Sequence, residues 1–313
     1  MNSFKDAKLN WDFGTAYDFF ISLHVLHNPE RFSLRPNWAA GVRSRLNPEL
    51  RQTLEHAQTA LPSPIRFVFN LPDKNKDSDT VLKELGNRAP LKRLEDISNL
   101  EHTSETFKNI LHETTLNKPW TEAERETILE ITGNPERRSN PRYLDSLYAI
   151  WSDPKTFSDM YLAALTAYRD SFFAEEEQRI LPALKQALSY AQMRSGSLSL
   201  PLLLEEITSG VRYSDLEQTK NIYLAPSFWI SPLMFSIRPE KDQLVILYGA
   251  RPDNMAIVPG DPVPDSLMRA LKAVADPTRL RIMRFLAQSP QTPSQLSRSL
   301  RLRPPTVNHH INE

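Results

Sequence analysis

The chain has 313 residues, with 38 Lys/Arg balanced by 38 Asp/Glu and no cysteine, so disulfides, thiolate metal centres and a cysteine nucleophile are excluded. That length accommodates two domains and a sizeable core. The opening MNSFKDAKLNWDFG lacks the basic-then-apolar layout of a signal peptide and no run approaches the ~20 apolar residues of a membrane span, which predicts a soluble cytoplasmic protein.

A short extended piece opens the chain, followed by GTAYDFFISLHVLHNPERF, where Phe13, Tyr17, Phe20, Ile21 and His24 share one face of an amphipathic helix that ends before Pro29. His24 and His27 read as packing histidines, because no third residue stands at metal-ligand spacing. Pro36-Asn37-Trp38 starts a second helix with Trp38 in the core, and Asn47-Pro48-Glu49 has the cap-and-proline layout of a third. Ile65 to Phe69 is expected to be a short strand, with a polar loop after Pro72. Helical patterns return over 79–86, 90–117 and 121–132. The last opens with a capping box, Thr121 and Glu124, and stops at Gly133-Asn134-Pro135. Arg137-Arg138 with Arg142 forms a small basic cluster, either a solvated surface or a contact for an anionic ligand or DNA phosphate.

Residues 141–194 are strongly helical. Tyr161, Leu165, Tyr168 and Phe172 repeat at three and four as a core or partner-facing stripe, and Pro182 is expected to kink the run or split it. Glu175-Glu176-Glu177 point in three directions and are expected to be solvated. Leu200 to Thr208 is a short helix. NIYLAPSFWISPLMFSI and QLVILYG then turn β-rich, and Arg238 to Asp242 between them predicts an antiparallel pair. Ala225 to Trp229 either lines an apolar pocket or packs as a β-layer on the helices. Four prolines between Arg251 and Pro264 mark a linker. There is no internal repeat, P-loop, G-x-G-x-x-G or nucleophile elbow, so neither an enzyme nor a cofactor is expected.

From Asp265 the text points to a mechanism. In ADPTRLRIMRFL, Asp276 caps a helix with Pro277 at its first position, and Ile282, Phe285 and Leu286 share a face away from Arg281 and Arg284. Thr292 and Gln295 stand at capping-box spacing before a short helix with an apolar stripe of Leu296 and Leu300. Arg301-Leu302-Arg303 is the turn, and Pro304-Pro305 opens a last helix. At about 100° per residue, Ile311 falls beside Val307 and His309 almost opposite, with Thr306, Asn308 and Asn312 flanking His309 and His310 at the edge of the buried face. Two short helices joined by a tight turn, the second polar outward, form the device that lays a recognition helix in the major groove.

ALKAVADPTRLRIMRFL followed by TPSQLSRSLRLRPPTVNHHI resembles the core of the ArsR-type winged-helix repressors, over roughly the last fifty residues. Asn308 stands where that family usually has Ser, and Ile311 where it usually has Leu. The resemblance implies a bacterial transcriptional regulator whose DNA-binding domain is incomplete at its C-terminus, since the family continues into a two-stranded wing and a further helix. The implied site is Thr306, Asn308, His309, His310 and Asn312 on the recognition helix of about 304–313, with Ser294, Gln295, Arg301 and Arg303 before it. Many relatives sense soft metals through cysteines, which this chain lacks. Charge agrees: eight Lys/Arg against three acidic residues from Asp265 onward leave +5 there and −5 over the rest.

The expected fold class is mainly α (α+β). A helical effector or dimerisation domain with a small antiparallel sheet (1–255) precedes a linker (256–264) and a helix-turn-helix domain (265–313). The partners implied are double-stranded DNA, a second copy of the chain and a small-molecule effector of unassigned identity, with no membrane. In a homodimer the stripe Leu267, Leu271 and Val274 is too small to hold the interface alone, which points to Tyr161, Leu165, Tyr168 and Phe172 as the main contact. Two alternatives stay open: a helical interaction module that touches no DNA, and an N-terminal ligand-binding or enzymatic domain.

Overall fold

In a computed structural model, the chain is described apart from residues 1–6, 33, 73–74, 117, 133–134, 214–215, 217–218, 253, 259–269, 272–274 and 313, and the side chains of 135, 136 and 312. It divides into two units, Met1–Arg251 and Pro252–Glu313. Leu267, Val274 and most of the expected linker lie outside the described residues.

Helix α1 (Ala16–His27) is apolar all round rather than on one face: Tyr17, Phe19, Phe20, Leu23, Val25 and Leu26 are all buried. A helix of that kind has to be surrounded. It packs against α2 (Pro36–Arg43), α3 (Pro48–Ala60), α4 (Ile65–Phe69) and α5 (Ser78–Gly86). Pro36 and Pro48 occupy first turns, where a missing N–H costs nothing, and the Asn47 side chain accepts from Leu50 N at 2.8 Å. The expected strand at Ile65–Phe69 is the helix α4. Its Ile65 and Val68, three apart, are both fully buried, a helical repeat that an alternating reading of five apolar residues misses.

The rest of the first unit continues through α6 (Pro90–Ser98), α7 (Glu105–Thr114), α8 (Glu122–Thr132), α9 (Pro135–Ser139), α10 (Tyr143–Ser152), α11 (Pro154–Tyr168), α12 (Ala174–Ser195) and α13 (Leu200–Ile207). The helical run expected over 90–117 breaks at Asn99, in the left-handed region with φ 56°, and restarts where Ser104 caps α7. The Thr121–Glu124 capping box forms in both directions. Pro182 does not split α12; the interruption is a π-helical turn at Arg169–Phe173 between α11 and α12, with the Ser171 carbonyl accepting from Arg45 at 2.9 Å.

Tyr161, Leu165, Tyr168 and Phe172 are core, exposed by 2, 0, 2 and 7%. The Tyr168 ring meets those of Phe19 and Phe172. The stripe therefore faces inward and offers no surface to a second copy. Glu176 and Glu177 are buried too, against the expectation of a solvated face. Glu177 accepts from Ser78 N and Oγ and from Thr15 Oγ1, while Glu176 accepts from Arg179 and from Trp229 Nε1 at 2.9 Å. Burial is tolerable because every carboxylate oxygen has donors.

Among the described residues four strands make one sheet in the order β1 (Lys8–Trp11), β2 (Asn221–Ser227), β4 (Gln243–Gly249), β3 (Phe235–Ile237). The expected antiparallel pair is there, β3 against β4 with Ser236 opposite Ile246. The sheet as a whole is mostly parallel, however: β1 pairs with β2 from Lys8 opposite Asn221, and β2 with β4 from Asn221 opposite Gln243. Parallel strands need cover on both faces. Ile222, Leu224, Leu244 and Ile246 pack on Ala191 of α12 and on Leu203, Leu204 and Ile207 of α13, while Tyr223 on the other face meets Phe69 of α4. Ala225 to Trp229 is fully buried: Ser227 Oγ and the N–H groups of Phe228 and Trp229 all donate to the Asp18 carboxylate.

Candidate nucleic-acid interface

In the second unit the described residues include α14 (Pro277–Gln288), α15 (Pro293–Leu300) and α16 (Pro304–Asn312). The Asp276 carboxylate accepts from Thr278 N and Arg279 N, each at 2.9 Å. Those two N–H groups, Arg279 first, hold its carboxyl below the usual range, with His310 adding to the effect. At α15 the Thr292–Gln295 box closes reciprocally: Gln295 N donates to Thr292 Oγ1 at 3.3 Å, and Thr292 N to Gln295 Oε1 at 2.7 Å.

Arg301 ends α15 at φ 56°, and Leu302 N reaches back to Ser297 O at 3.0 Å, satisfying a carbonyl that the helix end leaves open. This backbone reversal makes the tight turn. Pro304 then starts α16, with Thr306 N and Val307 N both donating to Arg303 O. Ile282, Leu296 and Val307, one from each helix, form the core, and Phe285, Leu300 and Leu302 close around them.

With Val307 turned fully inward, Thr306, Asn308 and His309 are exposed on the outer side of α16. His310 sits apart from them, with a side chain 17% exposed and Nδ1 3.6 Å from Asp276 Oδ1, so it faces the cap of α14. Asn312 belongs to α16, and its side chain lies outside the described atoms. Ile311, expected beside Val307 in the core, is 44% exposed. Ser294 and Gln295 are exposed at the start of α15, though Gln295 Oε1 is occupied by the capping box. Arg301 and Arg303 are exposed in the turn.

Arg298 is the residue that sequence reasoning passed over. It is exposed one turn after Ser294, and its Nε lies 3.4 Å from Ser294 O. The i, i+4 spacing was the available signal.

An apolar three-helix core with a capped tight turn and an outward polar face on the last helix defines a helix-turn-helix domain. Residues 276–313 match the family described as bacterial regulatory protein, arsR family. The second unit is thus an ArsR-type domain behind a long N-terminal domain, and it supports a DNA-binding regulator. Over residues 17–225, more than half its length, the chain matches a family of unknown function, DUF5937, and belongs to it. No curated protein and no solved structure matches the chain. Among the described residues no helix is long and apolar enough to cross a membrane.

Proposed function

We propose that the protein is a cytoplasmic, repressor-type transcriptional regulator that lays α16 in the major groove of duplex DNA. One observation carries this reading: His309 stands exposed on the helix side away from the buried Val307, with Thr306 and Asn308 exposed on either side of it. In that pose the three side chains read base edges, while Arg298, Arg301 and Arg303 contact phosphates and fix the register. Its response to soft metals does not run through thiolates, since the 313 residues contain no cysteine. We assign no catalytic role to the N-terminal domain, whose part is effector binding.

The test is binding of the full chain to operator DNA selected from a random pool, read by fluorescence anisotropy against salt. Affinity is expected to fall steeply with salt, as phosphate neutralisation requires. Asn308→Ala and His309→Ala are expected to cost about 1–3 kcal/mol on the selected site and much less on random DNA. Flat salt dependence, or an equal loss on both DNAs, would overturn the assignment.

A further inference from the structure

The first unit holds an open cleft of about 710 Å³, within the size range of small-ligand sites. Its walls come from the end of α1, from Arg43 at the end of α2, from α3, from the Arg137–Arg142 segment and from the turn between β2 and β3. The charge is one-sided. Arg43, Arg137 and Arg142 line it with no carboxylate at ion-pair distance among the described residues, and Glu55 is the acidic residue among the lining. The Arg137 guanidinium rests over the Tyr143 ring, 5.8 Å from its centroid, which orients it without neutralising it.

Two buried polar atoms in these walls have no partner among the described residues, His27 Nε2 and Arg43 Nε. His27 Nδ1 lies 2.8 Å from the Leu23 carbonyl, so Nδ1 carries the proton and Nε2 presents a bare lone pair. Burial, with Arg43 nearby, pushes this imidazole down to about 4, which keeps it neutral. The residues that wall the cleft therefore hold one buried acceptor and one buried donor, each costly to leave unmatched. Ile230, Leu233, Met234 and Phe235 add an apolar wall, with Leu233 44% exposed.

We propose that this cleft binds a small organic anion that carries a hydroxyl beside an apolar group. The anionic group meets the arginines, the hydroxyl donates to His27 Nε2 and accepts from Arg43 Nε, and the apolar part lies on Leu233 and Phe235. A polyanion such as DNA fits less well, because the unmatched atoms are recessed and the lining is partly apolar. The inference deepens the effector role given to this domain, but the binding it claims needs no DNA.

Isothermal titration of the full chain, without DNA, tests it with meta-hydroxybenzoate, para-hydroxyphenylacetate and β-hydroxyoctanoate, each beside its neutral amide, its dehydroxylated parent and inorganic phosphate. At least one hydroxy acid is expected to saturate a single site and to bind about tenfold or more tighter than its amide or phosphate, as loss of a charged hydrogen bond implies. Arg142→Gln, at an exposed position, and Arg43→Gln are expected to weaken it about tenfold. His27→Phe is expected to erase the preference for the hydroxylated acid over its parent. Absence of saturable binding by all three acids, equal affinity for acid and amide, equal affinity for phosphate, or affinity unchanged in both arginine variants overturns the proposal. Loss of DNA binding alone leaves this result standing and counts against the regulator reading instead.

Discussion

Asp18 sits in the first turn of an otherwise mostly apolar helix, and its carboxylate ties that helix to the end of β2. Oδ1 accepts from Ser227 Oγ at 2.7 Å and Trp229 N at 2.8 Å, and Oδ2 accepts from Phe228 N at 3.1 Å. Asp18→Asn replaces one acceptor by a donor facing an N–H, and the unmatched buried groups are expected to cost about 1–3 kcal/mol in a denaturant midpoint. Its pH dependence has a definite sign. Burial pushes Asp18 from 3.8 up to about 6, so the folded state holds this proton longer than the unfolded one, and stability falls as pH rises through that window. His27 does the reverse. Burial takes it from 6.5 down to about 4, so the stability present above 6.5 is lost as pH falls toward 4. The two slopes oppose one another between about 4 and 6. Relative to the parent chain, His27→Gln is therefore expected to gain on acidification and Asp18→Asn to lose. Parallel pH–stability curves for the parent and both variants would contradict the assignment.

At the scale of elements, two backbone positions carry more than their side chains suggest. A Cβ added at Gly14, just before α1, meets Lys76 Cβ and Lys76 O, each at 2.4 Å, and backbone cannot yield as a flexible side chain does. Gly14→Ala is expected to destabilise by about 1–3 kcal/mol, an overpacking penalty that a lowered denaturant midpoint reports. Arg301 is the converse case, an L-residue in the left-handed region at the end of α15. Arg301→Gly is expected to stabilise the second unit by about 1 kcal/mol while lowering the slope of log affinity against log salt by about one phosphate contact. Hydrogen exchange and a salt titration separate the two effects, and an unchanged salt slope would remove Arg301 from the interface. Elements whose determinants are local were legible from the sequence: Asn47 before Pro48, Thr121 with Glu124, and Thr292 with Gln295 each satisfy helix N–H groups within three residues. Ile65–Phe69 was not, because five apolar residues after a proline fit either repeat and only packing decides between them.

At the scale of the whole molecule, the contacts that were hidden are those that join distant segments. Nothing near Lys8 announces that its strand lies parallel to one beginning at Asn221, and Glu176 and Glu177 become buried acceptors only because Trp229, Thr15 and Ser78 come from elsewhere in the fold. The helix-turn-helix was legible because the whole of it is built from about forty contiguous residues, every device of it local.

Assembly follows from the same burial. A palindromic site is read by two copies related by a two-fold axis, and Tyr161, Leu165, Tyr168 and Phe172 are spent on the core. On α14, Leu280, Met283 and Leu286 remain 51, 40 and 42% exposed. At about 100° per residue they fall within an arc of about 120°, a continuous apolar strip next to the buried Ile282. Three side chains cover far less than the about 1,200–2,000 Å² of a durable interface. The expected behaviour is therefore association that depends on concentration and tightens when two half-sites hold the copies together. Sedimentation velocity of the full chain should show a monomer–dimer shift with concentration, abolished in Leu280→Glu/Leu286→Glu. The same variant should bind a single half-site like the parent and lose its advantage on the paired site. A dimer that survives the double substitution would place the interface elsewhere.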